Sequence, residues 1–157
     1  MKKFALAFTL ISSALFLSCS KDKVEQNNND PTSTELKAFA LTAGTTNYQP
    51  TNVYKSHNNN KIEISSYEGL GASLALSIAD SLAPGTYAMS PFGPTTLSMS
   101  FDALQSYYIS SSGSLIIQAH DTTARTIKGT FSCTTINTST QDTMQVTNGQ
   151  FNVTYPQ

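Results

Sequence analysis

The stretch Val146-Thr147-Asn148-Gly149-Gln150-Phe151-Asn152-Val153 decides the reading of the fold. Asn148 and Gly149 both tolerate positive φ, which the two central positions of a type I′ turn require, so the pair predicts a tight hairpin. In that hairpin Thr147 faces Gln150, Val146 faces Phe151 and Met144 faces Val153, with the apolar side chains on one face. The same period of two recurs towards the N-terminus. Ile62 and Ile64 alternate with Glu63 and Ser65, and Leu74, Leu76 and Ile78 with Ser73, Ala75, Ser77 and Ala79. Leu97, Met99 and Phe101 alternate with Thr96, Ser98 and Ser100, while Ile127, Phe131 and Cys133 share a phase with Gly129. Strands with one face in a core and one in water produce this alternation; a helix would scatter the same residues around its axis.

Turn-forming clusters fall between the runs: Asn58-Asn59-Asn60, Gly69-Leu70-Gly71, Pro84-Gly85, Pro91-Phe92-Gly93-Pro94 and Ser111-Ser112-Gly113. Thr134 to Gln141 reads as a longer polar connection. Together they predict an all-β antiparallel meander of about ten strands, forming a β-sandwich or a flattened, partly open barrel. Ser and Thr make up about a quarter of the chain and charged residues are sparse, a composition that favours strands and turns over helices.

The N-terminus follows a different logic. Lys2 and Lys3 precede an apolar run from Phe4 to Leu17, then Ser18 and Cys19, the layout of a secretory signal. The run is shorter than the roughly 18 residues a spanning helix needs. Leu15-Phe16-Leu17-Ser18-Cys19 resembles a lipobox, in which the cysteine thiol takes a diacylglycerol before cleavage, so Cys19 is the expected lipidation site. The alternative is an ordinary secreted protein with a cysteine near its signal. Residues 20–25 resemble the charged start of lipoproteins exported to the outer face of the outer membrane. From Gln26 to Thr34 no apolar side chain is available to offset the entropy of ordering the backbone. Residues 1–18 therefore read as a signal peptide, 19–35 as a lipidated tether, and 36–157 as a single domain. Several acyl chains would hold it durably, since one binds membranes only marginally.

Loss of residues 1–18 leaves seven basic and ten acidic residues, a formal charge of −3. Lys37, Lys55, Lys61, Arg125 and Lys128 are scattered over the domain, which argues against nucleic-acid binding. With Cys19 acylated, Cys133 has no partner in the chain and reads as a small core residue.

Four segments, in order, carry a family resemblance: Pro84-Gly85-Thr86-Tyr87; Ser112 to Ile117 leading to His120-Asp121; Ile127-Lys128-Gly129-Thr130-Phe131-Ser132; and Val146 to Val153. Over about Phe39 to Tyr155 the chain resembles a domain of unknown function of small Bacteroidota lipoproteins with a Gly-Thr-Phe and a Thr-Asn-Gly-x-Phe motif. The resemblance implies a β-rich fold and an outer-membrane setting, and brings no catalytic residues. Where that family usually carries a Trp and an aromatic, this chain has Tyr48 and Cys133, which implies a smaller core at both points.

No metal-binding cluster, nucleophile elbow or phosphate loop is present in the sequence, so no enzyme activity, cofactor or metal is expected. His120 and Asp121 are strand neighbours pointing to opposite faces, and read as a strand end followed by the turn Asp121-Thr122-Thr123. His57 reads as a solvated loop residue. Tyr54, Tyr67, Phe92, Tyr107 and Tyr108 are available to stack on a ligand. Tyr107 and Tyr108 are the candidate ligand contacts, because in a strand one ring faces outward if the other faces the core. Asp80-Ser81-Leu82, Asp121-Thr122-Thr123 and Asp142-Thr143-Met144 resemble an Asp-Ser/Thr-apolar acceptor for O-glycosylation, making Ser81, Thr122 and Thr143 candidate sites. The expectation is a lipid-anchored outer-membrane protein, exposed at the cell surface, with a binding or structural role and a glycan or envelope-protein partner. The alternatives are a calycin-like carrier of a small apolar ligand and an envelope hydrolase with an unidentified site.

Overall fold

The computed structural model describes residues 36–157 except 69 and 70. The signal peptide, Cys19 and the tether lie outside the described residues. The domain is one antiparallel sheet of ten strands that curls into an open half-barrel, the second of the two shapes the pattern allowed. The strands are β1 Phe39–Ala43, β2 Thr46–Tyr48, β3 Val53–Asn58, β4 Lys61–Glu68, β5 Ala72–Ala79, β6 Gly85–Ala88, β7 Thr95–Phe101, β8 Ser106–Asp121, β9 Thr126–Asn137 and β10 Thr143–Thr154. Their order across the sheet is β2-β1-β10-β9-β8-β7-β5-β4-β3, with β6 alongside the second half of β8.

Alternation sets the inner face. Ile62 and Ile64, Leu74, Leu76 and Ile78, and Leu97 and Met99 are all fully buried, as expected. Phe131 lies between Phe39 and Phe151, with ring centroids 6.3 and 6.5 Å away, so the C-terminal strands fill the curl with aromatics. Cys133 packs among them at 4% exposure, and burial pushes its thiol up to about 12. Folding therefore favours the neutral thiol: this contribution to stability is intact below pH 9, the ordinary thiol value, and is lost as pH rises towards 12. In the Cys19→Ala chain Cys133 is expected to resist iodoacetamide at pH 8 and to label only in guanidinium. Native labelling at the rate of a free thiol would show that the core opens there.

The Asn148-Gly149 hairpin does not form. β10 runs unbroken through both residues and pairs with β9 on either side of them: Val146 faces Cys133 and Gly149 faces Phe131. Thr147 and Asn148 thus oppose the single residue Ser132, a β-bulge, with Asn148 at φ 52°. The extra residue moves the inward phase from Met144 and Val146 to Gly149, Phe151 and Val153. A hairpin and a bulge put the same side chains on one face, so the apolar pattern could not separate them. The two-residue turn with both φ positive lies instead at Asn59 and Asn60, φ 52° and 59°, between β3 and β4.

Ser111-Ser112-Gly113 is likewise a bulge within β8 rather than a turn, since Ser110 pairs with Thr135 and Ser112 with Thr134. Thr134 to Asn137 is the end of β9, and the connection to β10 is only Thr138 to Asp142. The bulges at Ser111 of β8 and Asn148 of β10 flank β9 at Ser132–Thr135, a third irregularity lies between Ala40 and Thr42 of β1, and β8 carries a fourth, off this line, between Ile117 and Ala119. At the level of Ser111 β8 changes partner, from β7 at Ser106–Ile109 to β6 at Ser114–Ile117. Where the ladder breaks, the Ser110 hydroxyl accepts from the Leu97 N–H at 3.1 Å. Bulges bend a strand and raise its local twist, so a transverse seam of them accounts for the curl.

Candidate functional site

Three places on the half-barrel gather the residues that sequence reading singled out: one rim, the opposite rim, and the outer face.

At the rim where β5 ends and β10 finishes, both histidines meet Tyr155. The His57 ring lies edge-on to the Tyr155 ring at 5.5 Å, and its Nε2 is 3.0 Å from the Asp80 carboxylate. His57 is therefore a part-buried strand residue and not a solvated loop residue. His120 Nδ1 lies 2.8 Å from the Leu82 carbonyl and Nε2 2.8 Å from the Tyr155 hydroxyl. A carbonyl only accepts, so Nδ1 carries the proton and Nε2 of the neutral ring accepts from Tyr155. Burial, reinforced by the charges of Asp80 and Asp121 and opposed by Arg125, pushes the Tyr155 phenol up and keeps it a donor. Asp121 ends β8 as expected, its carboxylate accepting from the N–H groups of Thr123 and Ala124 at 2.9 and 2.8 Å. This cluster ties β3 and β8 to Tyr155, just past β10, through hydrogen bonds to a carboxylate, a phenol and a carbonyl.

At the opposite rim, edge strand β2 crosses to the end of β7. The Tyr48 and Phe101 rings are 6.3 Å apart, and Tyr108 meets Phe101 edge-on at 5.9 Å. Tyr108 is thus the inward member of the tyrosine pair. Between β2 and the strand ends lies a cleft of about 460 Å³, lined by Asn47, Tyr48, Gln49, Glu68, Ala72 and Phe101 among others. Nothing in the sequence marks this cleft, because it exists only once the curl brings β2 against β4, β5 and β7.

The outer face holds Tyr107, 43% exposed. Strand register places it in a row: Tyr107 pairs with Ser100, Ser100 with Ser73, and Ser73 with Tyr67. Tyr67 is 57% exposed, and the neighbouring row begins at Tyr54, 63% exposed, which pairs with Ser65. Between these aromatic walls the outward residues of β5 and β7 are all Ser, Ala or Thr, so the floor is low and carries hydroxyls. Three strand spacings separate Tyr67 from Tyr107, about 14 Å. The result is a shallow trough able to stack a flat or ring-shaped group at either wall and hydrogen-bond it from below. Phe92, in the turn before β7, is fully exposed.

Ser81, Thr122 and Thr143 are all exposed, the first two in turns and the third at the start of β10. Among the described residues no group of His, Cys, Asp and Glu is placed to hold a metal ion, and no helix is long and apolar enough to cross a membrane.

Residues 36–154 match the family model described as a domain of unknown function. No curated protein and no solved structure matches the chain.

Proposed function

The chain belongs to that family, DUF6252, and we propose that its domain is a non-enzymatic binding module of the cell envelope. In this reading lipid on Cys19 anchors it to the outer membrane, exposed at the cell surface, and the outer face of the sheet contacts a glycan or an envelope protein. The anchor rests on the order of basic start, apolar run and Ser18-Cys19, followed by a polar stretch that gives way to the family domain at residue 36. The observation that carries the binding role is the row Tyr67–Ser73–Ser100–Tyr107, in which two exposed rings flank two hydroxyls on one continuous face. Aromatic rings with polar tips are the side chains that most often anchor a partner. A calycin-like carrier shares the all-β architecture, but here Leu74, Leu76, Ile78, Leu97 and Met99 fill the inside of the curl. That packing favours contact on the outside.

The test is binding of the Cys19→Ala protein to polysaccharides purified from its host's envelope. Tyr67→Ala and Tyr107→Ala are each expected to weaken binding by roughly fivefold, the loss of about 1 kcal/mol of ring contact, with no change in Tm because both rings stand in solvent. Full affinity in both variants would remove the outer face from the function. Intact mass of the protein from its host, with protease shaving of whole cells, tests the rest of the reading. Acyl chains on Cys19 with shaveable protein, and hexose increments on Ser81, Thr122 or Thr143, are expected; an unacylated Cys19 overturns the anchor.

A further inference from the structure

Beyond the outer face, we propose that the rim cleft between β2 and the ends of β4, β5 and β7 binds a small organic ammonium compound with an apolar body. Four observations converge on that chemistry. The cleft, about 460 Å³, is of a size for a small molecule. Its apolar walls are the Tyr48 and Phe101 rings, inclined at 47° to one another, with Ala72 beside them. Glu68 is the one charged residue lining it. Glu68 Oε1 is shut off from solvent and has no hydrogen-bond donor among the described residues.

Two residues back on the same face of β4, Ser66 is 2% exposed and its hydroxyl also lacks a partner. Buried polar groups are almost always paired, so the orphaned carboxylate oxygen of the cleft, with a second orphan two residues away on the same strand, marks a place where donors are missing. Neither Lys nor Arg supplies them. Lys37 donates to the Gln49 side chain, and the ion pair found among the described residues is His57–Asp80 at the other rim. Burial pushes the Tyr48 phenol up, a hydrogen bond with Thr46 opposes this, and the charge of Glu68 adds to the rise. Tyr48 therefore stays neutral, and the net charge lining the cleft is the carboxylate's.

An ammonium group is a donor without acceptors and carries the opposite charge. It gives Glu68 charge-assisted hydrogen bonds while its positive charge lies against the ring faces of Tyr48 and Phe101. An anion would meet the carboxylate, and a neutral apolar molecule would leave it unpaired.

The experiment titrates the Cys19→Ala chain, labelled with ¹⁵N, with 2-phenylethylamine and with 2-phenylethanol, which has the same body and a neutral hydroxyl in place of the charge. The amine is expected to shift the amides of Tyr48, Glu68 and Phe101 and to bind about tenfold tighter than the alcohol, the increment of a hydrogen bond to a charged group. Glu68→Gln is expected to bring the amine down to the alcohol's affinity. Equal binding of the two probes by the unaltered cleft, or shifts confined to other surfaces, would overturn the proposal without any variant having to fold. Tyr67→Ala and Tyr107→Ala should leave amine binding unchanged, so this site and the outer face fail or stand separately.

Discussion

Gly129→Ala is expected to destabilise the domain by about 3 kcal/mol and to lower Tm by roughly 10 °C. Gly129 lies in β9 at the centre of the sheet, between Ile117 of β8 and Phe151 of β10. A β-carbon built on it would fall on the Ile116 carbonyl oxygen and lie 2.7 Å from the tip of the Phe151 ring. A ring tip can swing away; a backbone carbonyl within a sheet can move only if the ladder moves with it. The requirement is one of space, not of backbone angle. Removing the ring as well should therefore give little rescue: the double variant Gly129→Ala/Phe151→Ala is expected to be less stable than either single one. Calorimetry decides it. A Tm within about 2 °C of the parent's would mean that β8 and β9 can separate locally without loss.

Phe151→Ala is expected to cost about 4 kcal/mol by itself, in the range for deleting a fully buried aromatic ring. Phe151 is 0% exposed, packs against Phe131 and covers Gly129, so its loss leaves a cavity bounded by strands that cannot collapse into it. A urea titration should show a lowered midpoint with an unchanged slope, and a changed slope would point instead to a loosened native sheet. Phe151→Leu should recover more than half of the loss, because the transferred apolar volume is largely kept.

Much of this was legible in the sequence, and the parts that were not have physical reasons. Period-two runs in β4, β5 and β7 identified both the strands and their inner faces, because alternation is a local property. That one ring of the Tyr107-Tyr108 pair faces out and the other in followed from the same rule; which is which is set by the register of β8, and Tyr107 is the outer one. Asn148-Gly149 was misread because its φ preference serves a turn and a bulge equally; the difference lies in whether a neighbouring strand continues past it, as β9 does. The meeting of His57, His120 and Tyr155 was invisible for a different reason. It depends on how far the sheet curls, which brings β3 to the end of β10 although five strands intervene in the sheet order. The cleft beside Glu68 depends on that curl too.

The line of bulges across β1, β10 and β8 sets which changes of length this fold tolerates in the middle of its strands. Each bulge is a one-residue phase correction: the same sequence laid in a regular ladder would turn every later side chain to the opposite face. In β10 the residues pointing inward past Val146 would then be Asn148, Gln150, Asn152 and Thr154 in place of Gly149, Phe151 and Val153. Deletion of Asn148 removes the extra residue and keeps Phe151 and Val153 inside, whereas an insertion in a regular stretch of strand turns the rest of it inside out. Insertions belong instead in the short connections, such as Thr138 to Asp142, where a residue more or less changes no register.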